Sequence, residues 1–365
     1  MGRTENKMAR THAEARHLRS PEKGVSPPQG KKAIRGATPR VVALGGGTGL
    51  PIVLRSLKKR LFTASPMSGR NGDRDRLTAI VTITDDGGSS GRLRKDFNIL
   101  PPGDIRNCLF SLSDESIQIS NLFQYRFDGG NGLSGHSLGN LLLTALSHVK
   151  GSFLEAIRCC SEIMQIKGQI LPFTADDVVL GASFADGLVV KGETFITGHR
   201  GKIRNIFLIP SDPVPLPQTI NAIEKADVII VGPGSLYTSI IPNLLTKEMT
   251  RAVKKSKARK IFICNTMTEP GETDGYAASD HVRAIYDHTE YGLFQYILLN
   301  KGKMSPYLQN AYAAEGAHAV SHDIEELRHL GLISVVADLI SDRGDKIWHD
   351  EGKLGRMLLE LMPKN

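Results

Sequence analysis

Short, uniformly apolar runs recur along this chain, and each ends in a polar, glycine-rich loop that leads into a stretch of helical period. The first is Val41-Val-Ala-Leu-Gly45. Gly46-Gly-Thr-Gly49 follows, and then Leu50, Ile52, Val53 and Leu57 on the apolar side of a helix. Runs without apolar–polar alternation predict strands buried on both faces. Residues 77–84 predict the second such strand, and 227–231, 260–264 and 296–299 predict three more, with helical patterns between them.

The stretch between these two sets reads differently. Residues 104–165 predict helices, opening at Asp104, around 117–126, and at Ser137 and Ser152, with a glycine-rich break at 129–135. Residues 166–210 lose that period, and VVLGASFADGLVV, ETFITG and IRNIFLI predict short strands of an antiparallel piece beside the main sheet. The alternation as a whole predicts an α/β fold. It is a Rossmann-like, doubly wound, mostly parallel sheet in one domain at 40–361, with a helical and β insert at roughly 104–210.

Composition changes this picture at one end only. The net charge of +8 suggests a nucleic-acid partner, but residues 1–40 hold ten Lys/Arg against three Glu, leaving the folded body nearly neutral. Residues 1–39 are therefore expected to be a basic, disordered tail, and nucleic acid is a partner only through it. The sequence has no run of 18 apolar residues and no apolar signal core, so neither a membrane span nor export is expected. Cys108, Cys159, Cys160 and Cys264 show no C-x-x-C spacing, which speaks against a zinc site or disulfide framework. A cytoplasmic protein fits.

In open parallel sheets, ligands bind beyond the carboxyl ends of the strands. Here four such ends carry polar loops: 45–49, 85–92, 232–239 and 265–274. One pocket built by four loops is the economical reading. The 45–49 loop feeds a helix N-terminus, where free N–H groups and the positive dipole end favour phosphate or carboxylate. It misses the dinucleotide fingerprint, because Leu50 stands where G-x-G-x-x-G needs glycine; a nicotinamide enzyme is disfavoured.

Asp85 and Asp86 suit a turn, ribose hydroxyls or Mg²⁺, and the sequence leaves these open. Ser89, Ser90, Arg92 and Arg94 add hydroxyls and guanidinium groups behind them. Asp104 reads as a helix N-cap, and His136 as a lone candidate acid/base. Gly232-Pro-Gly234-Ser235 is a second phosphate-type loop, with Tyr237 placed to stack on a base or sugar. Thr268, Glu269, Glu272 and Asp274 offer acceptors for sugar hydroxyls or a metal.

Six ordered motifs carry a family resemblance: GGGTGL (45–50), DDGGSSGRLR (85–94), PPGDIRNCL (101–109), GHSLGN (135–140), GPGSLYTSIIPNL (232–244) and PGETDGY (270–276). From about Arg40 to about Leu361 the chain resembles the YvcK family, labelled putative gluconeogenesis factors and related to the CofD phospholactate transferases. The resemblance implies a Rossmann-like core that binds UDP-sugars such as UDP-N-acetylglucosamine and supports cell shape, wall synthesis and growth on gluconeogenic carbon. Homo-oligomers and regulators of wall synthesis are partners it leaves room for. The alternative it implies is a Mg²⁺-dependent transferase of the 2-phospho-L-lactate type acting on a nucleotide-activated donor. Tyr312-x-x-Glu315 fits the family pattern, whereas Trp348-His349-Asp350 stands where the family usually shows Arg-His-Asp.

Motifs and resemblance together nominate Gly45, Gly46, Gly47, Thr48, Gly49, Ser89, Ser90, Arg92, Asn107 and Asn140 as ligand contacts. Gly232, Gly234, Ser235, Tyr237, Asn265, Thr268, Glu272, Asp274 and Tyr312 complete the set, with Asp85 and Asp86 as candidates for catalysis or metal binding.

Overall fold

The computed structural model of the chain describes residues 39–62, 74–113, 118–341 and 346–363. The expected tail lies outside the described residues apart from Pro39, as does most of the 61–76 loop.

The first strand, β1 (Val41–Gly45), is buried along its whole length, as its unbroken apolar run requires. It pairs in parallel with β2 (Leu77–Val81) on one side, Val41 opposite Leu77. Beyond β2 lies β3 (Gln169–Pro172), also parallel. The antiparallel piece is β4 (Val179–Phe184), β5 (Val189–Lys191) and β6 (Ile203–Ile209), with β4 in the middle. On the other side of β1 comes β7 (Val228–Val231), Val41 opposite Val228. β8 (Arg259–Ile263), β9 (Tyr296–Asn300) and β10 (Ile333–Ala337) follow outward, giving the order β10-β9-β8-β7-β1-β2-β3. Winding therefore reverses direction between β1 and β7, the place where such sheets bind ligands. A short ribbon, β11 (Ile340–Ser341) with β12 (Trp348–His349), closes the strand set.

The helix Gly49–Leu61 shows why the sheet and its helices hold together. It buries Leu50, Ile52, Val53, Leu54, Leu57 and Leu61, each worth about 1.5–3 kcal/mol when fully removed from water. That packing fixes the helix start, and with it the loop after β1.

Within 104–210, β3 joins the main sheet as its edge and β4–β6 form the small antiparallel sheet. Two local expectations are corrected. ETFITG forms the helix Glu193–His199 rather than a strand. Its β-branched residues favour extension, but Gly192 breaks the strand at φ +98° and Asp86 accepts from both the N–H and the hydroxyl of Thr194, which starts the helix. The second strand ends at Val81 rather than residue 84, since the following residues peel away toward Asp85.

Candidate functional site

The loops after β1 and β7 meet at the switch point. A Cβ on Gly49 would lie 2.1 Å from the Pro233 carbonyl oxygen, so only glycine permits this approach. Gly234 sits at φ +154° and is held by Asn265, whose side chain accepts from its N–H (3.0 Å) and donates to its carbonyl (2.9 Å). The helix Gly49–Leu61 begins at Thr48 with no side-chain cap, leaving the Gly49 and Leu50 N–H groups of its first turn available to an anion, while Pro51 carries none.

These groups open on a cleft of about 440 Å³, lined by Gly47, Thr48, Gly49, Pro233, Gly234 and Ser235. Asn265, Thr268, Glu269, Tyr312, Glu315 and Glu193 line it too, Asn265 in direct contact with Gly234. Tyr312 accepts from the Ile347 N–H at 3.1 Å, and Thr268 accepts from the His318 N–H at 2.9 Å. Their positions are therefore fixed.

Three carboxyl groups at or beside the cleft, Glu269, Glu272 and Glu193, resist ionisation. Burial raises Glu269, although a bond from Ser235 pulls the other way. Burial and the neighbouring Glu269 push Glu272 to about 8, and its Oε2 has no hydrogen-bond partner. Burial, with Asp85 and Asp104 nearby, pushes Glu193 to about 9. Protonated carboxyls do not repel an incoming phosphate, and they can donate to it.

Several nominated residues support the cleft without lining it. Asp104 does not cap its own helix, Gly103–Leu112, whose N-cap is Pro102. It reaches instead across to the first loop, where its Oδ2 accepts from the Gly47 N–H at 2.8 Å. Full burial raises Asp104 to about 6, against the opposing effect of that bond. Gly46 packs on Asp104 and Thr82, Gly45 lies in β1, and Gly232 lies against the Ile263 carbonyl. Tyr237 is 3% exposed, with its hydroxyl on that of Tyr276 at 2.7 Å, so its ring belongs to the core rather than to a stacking surface. Glu272 is buried behind it, and Asp274 accepts from the Gly271 N–H within its own turn.

The loop after β2 is committed internally. Asp85 accepts from the Gly87 N–H at 2.9 Å, while Asp86 turns to Thr194. Ser89 and Ser90 are buried, not exposed as a helix start would be. Ser89 Oγ pairs with His136 Nδ1 (2.9 Å) and accepts from Asn140 Nδ2 (3.0 Å). Arg92 donates to the Ser134 carbonyl, and Arg94 to Asp177 and the Val178 carbonyl. Each aspartate uses its Oδ1 in these bonds, Asp85 toward Gly87 and Asp86 toward Thr194. Among the described residues no group of three His, Cys, Asp or Glu could hold a metal ion.

A second cleft, of about 470 Å³, shares Thr48, Ile52, Trp348 and His349 with the first. Asn107 faces this one. Glu193, Ser239, His349, Arg55 and Glu351 are wall residues that the sequence reading missed. Glu193 gave no signal because its segment reads as a strand, and Arg55 looks like an ordinary helix-surface charge until it meets Glu351 at 2.5 Å, 296 residues away.

Comparison with known proteins matches the architecture. Residues 41–340 match the family model described as 2-phospho-L-lactate transferase CofD. The gluconeogenesis factor of Bacillus subtilis is 44% identical over 327 residues, 90% of this chain and 99% of the relative. A putative gluconeogenesis factor of Nostoc is 46% identical over 88% of this chain and 68% of the relative. An X-ray crystal structure of a Bacillus halodurans protein superimposes with a TM-score of 0.82 at 44% identity, covering 88% of this chain and 99% of that one.

Proposed function

The chain belongs to the CofD family, among the relatives named gluconeogenesis factors, and we propose that it is a binding factor for nucleotide-linked sugars, UDP-N-acetylglucosamine above all. One observation carries this reading. An uncapped helix N-terminus stands at the sheet's switch point, on a cleft whose lining is rich in carboxyl and hydroxyl groups. The helix end suits a diphosphate, and the acceptors suit sugar hydroxyls. Asn265 and Asp104 hold the two glycine loops in place and so preorganise the seat. No helix among the described residues is long and apolar enough to cross a membrane, in keeping with action in the cytoplasm.

In this reading the protein senses the sugar nucleotide and supports wall synthesis and cell shape when carbon enters through gluconeogenesis, acting through regulators of that synthesis or as a homo-oligomer. Binding without turnover is preferred to Mg²⁺-dependent transfer, because Asp85 and Asp86 each commit one carboxylate oxygen to a different protein partner, Gly87 and Thr194. Calorimetry with UDP-N-acetylglucosamine tests the reading, and failure to bind any UDP-sugar at millimolar concentration rejects it. Product formed from such a donor in the presence of Mg²⁺ would favour the transferase instead.

A further inference from the structure

The two clefts share a wall made by Thr48 and Ile52 at the start of the uncapped helix and by Trp348 and His349 of β12, and beyond that wall their chemistry differs. The first offers carboxyl groups at Glu269, Glu315 and Glu193. The second offers the ring of Phe110 and side-chain amides at Asn107 and Gln124, with Trp348 on the wall between it and the first. A nucleotide sugar carries its diphosphate in the middle and two unlike ends. With the diphosphate on the helix N-terminus, one end enters each cleft.

We infer that the second cleft is the nucleobase subsite and that Trp348 is its stacking platform, an inference that rests on the nucleotide-sugar reading above. A flat heteroaromatic base gains from an aromatic face and from amides that both donate and accept. A sugar, rich in hydroxyl donors, gains from carboxyl acceptors and goes to the other side. Trp348 is 42% exposed although its neighbour His349 is buried. Its segment is pinned on both sides. Ile347 donates to the Tyr312 hydroxyl, and Asp350 caps the helix Glu351–Glu360 by accepting from Lys353 N at 2.8 Å. β12 is also tied to β11, with Ser341 opposite Trp348. A residue whose backbone is held this firmly on both sides loses little main-chain freedom when a base settles on its ring. Burial lowers His349 to about 4, so its ring is neutral near pH 7, and the Arg55 guanidinium of the same cleft is paired with Glu351 at 2.5 Å.

The chain contains a single tryptophan, so intrinsic emission reports on Trp348 alone. The full chain is titrated with UDP-N-acetylglucosamine, UDP and N-acetylglucosamine 1-phosphate, with affinities measured in parallel by calorimetry. Both uridine ligands are expected to change the emission and to shield it from acrylamide, and the sugar phosphate to do neither. Trp348→Ala should weaken both uridine ligands about ten-fold or more, and Trp348→Phe should restore most of the loss. Binding of UDP-N-acetylglucosamine with unchanged emission and unchanged affinity in Trp348→Ala overturns the subsite and leaves the functional reading standing. An emission response to the sugar phosphate but not to UDP reverses the orientation and also overturns it. If calorimetry finds no UDP-sugar binding, the functional reading falls and takes the subsite with it.

Discussion

The loop after β1 and the loop after β2 look alike on paper, since both pack glycine, hydroxyl and polar residues behind a buried strand and ahead of a helix. Their physical states are opposite. After β1, the helix start lacks a side-chain cap and faces an open cleft. After β2, Asp85, Asp86, Ser89 and Arg92 already hold protein partners, and Asn140 is drawn into the same network. The same residue types therefore serve as a ligand seat in one place and as a keystone in the other. What separates them is whether the polar groups are satisfied before any ligand arrives, since only an unsatisfied group gains a full hydrogen bond on binding.

Substitutions can break this contrast, and the largest effect should come from a glycine. Gly49→Ala would drive a methyl group into the Pro233 carbonyl, and a loss of about 3 kcal/mol or more is expected in urea unfolding. Gly88→Ala, at φ +45° with open space around it, should cost only about 1 kcal/mol. Equal losses would mean that the two loops do not press together.

Asn140→Ala should remove about 1–2 kcal/mol of stability, since it strips a partner from buried Ser89, while leaving UDP-sugar affinity unchanged. A folded Asn140→Ala protein that has lost its affinity would make the second region the ligand site. Thr48→Ala should do the reverse, weakening UDP-sugar binding about ten-fold with little change in unfolding, because its side chain makes no cap bond.

The smallest effect is a pH slope. Glu272 rises from its ordinary 4.5 to about 8 in the fold, so the folded state holds its proton across that interval. The stabilisation is complete below 4.5 and is lost as pH rises through 8. Melting temperatures of the wild type and Glu272→Gln, followed from pH 5 to 9, should diverge in favour of the variant at the alkaline end. Parallel curves would remove Glu272 from the account.

Much of the fold was legible because a parallel sheet writes itself as apolar runs. The strands at β1, β7, β8 and β9 appear where those runs stand, and Ser137 accepts from Asn140 N at the start of a helix read from sequence. Less was legible where a distant residue decides the local state. Glu193–His199 is helical because Asp86 caps it from 108 residues away, and Asp104 serves a loop 57 residues upstream rather than its own helix. Tyr237 carries no signal of burial in its own motif, because the tyrosine that receives its hydroxyl lies 39 residues on.

The sequence by itself determined the α/β class, the family and the set of loops gathered at the carboxyl ends of the strands, since period and motif are local properties of the chain. Tertiary structure decided which of those loops is open. Hydrogen bonds from distant residues engage the polar groups after β2 and leave the helix start after β1 without a side-chain cap, and no local pattern encodes a partner 47 or 108 residues away.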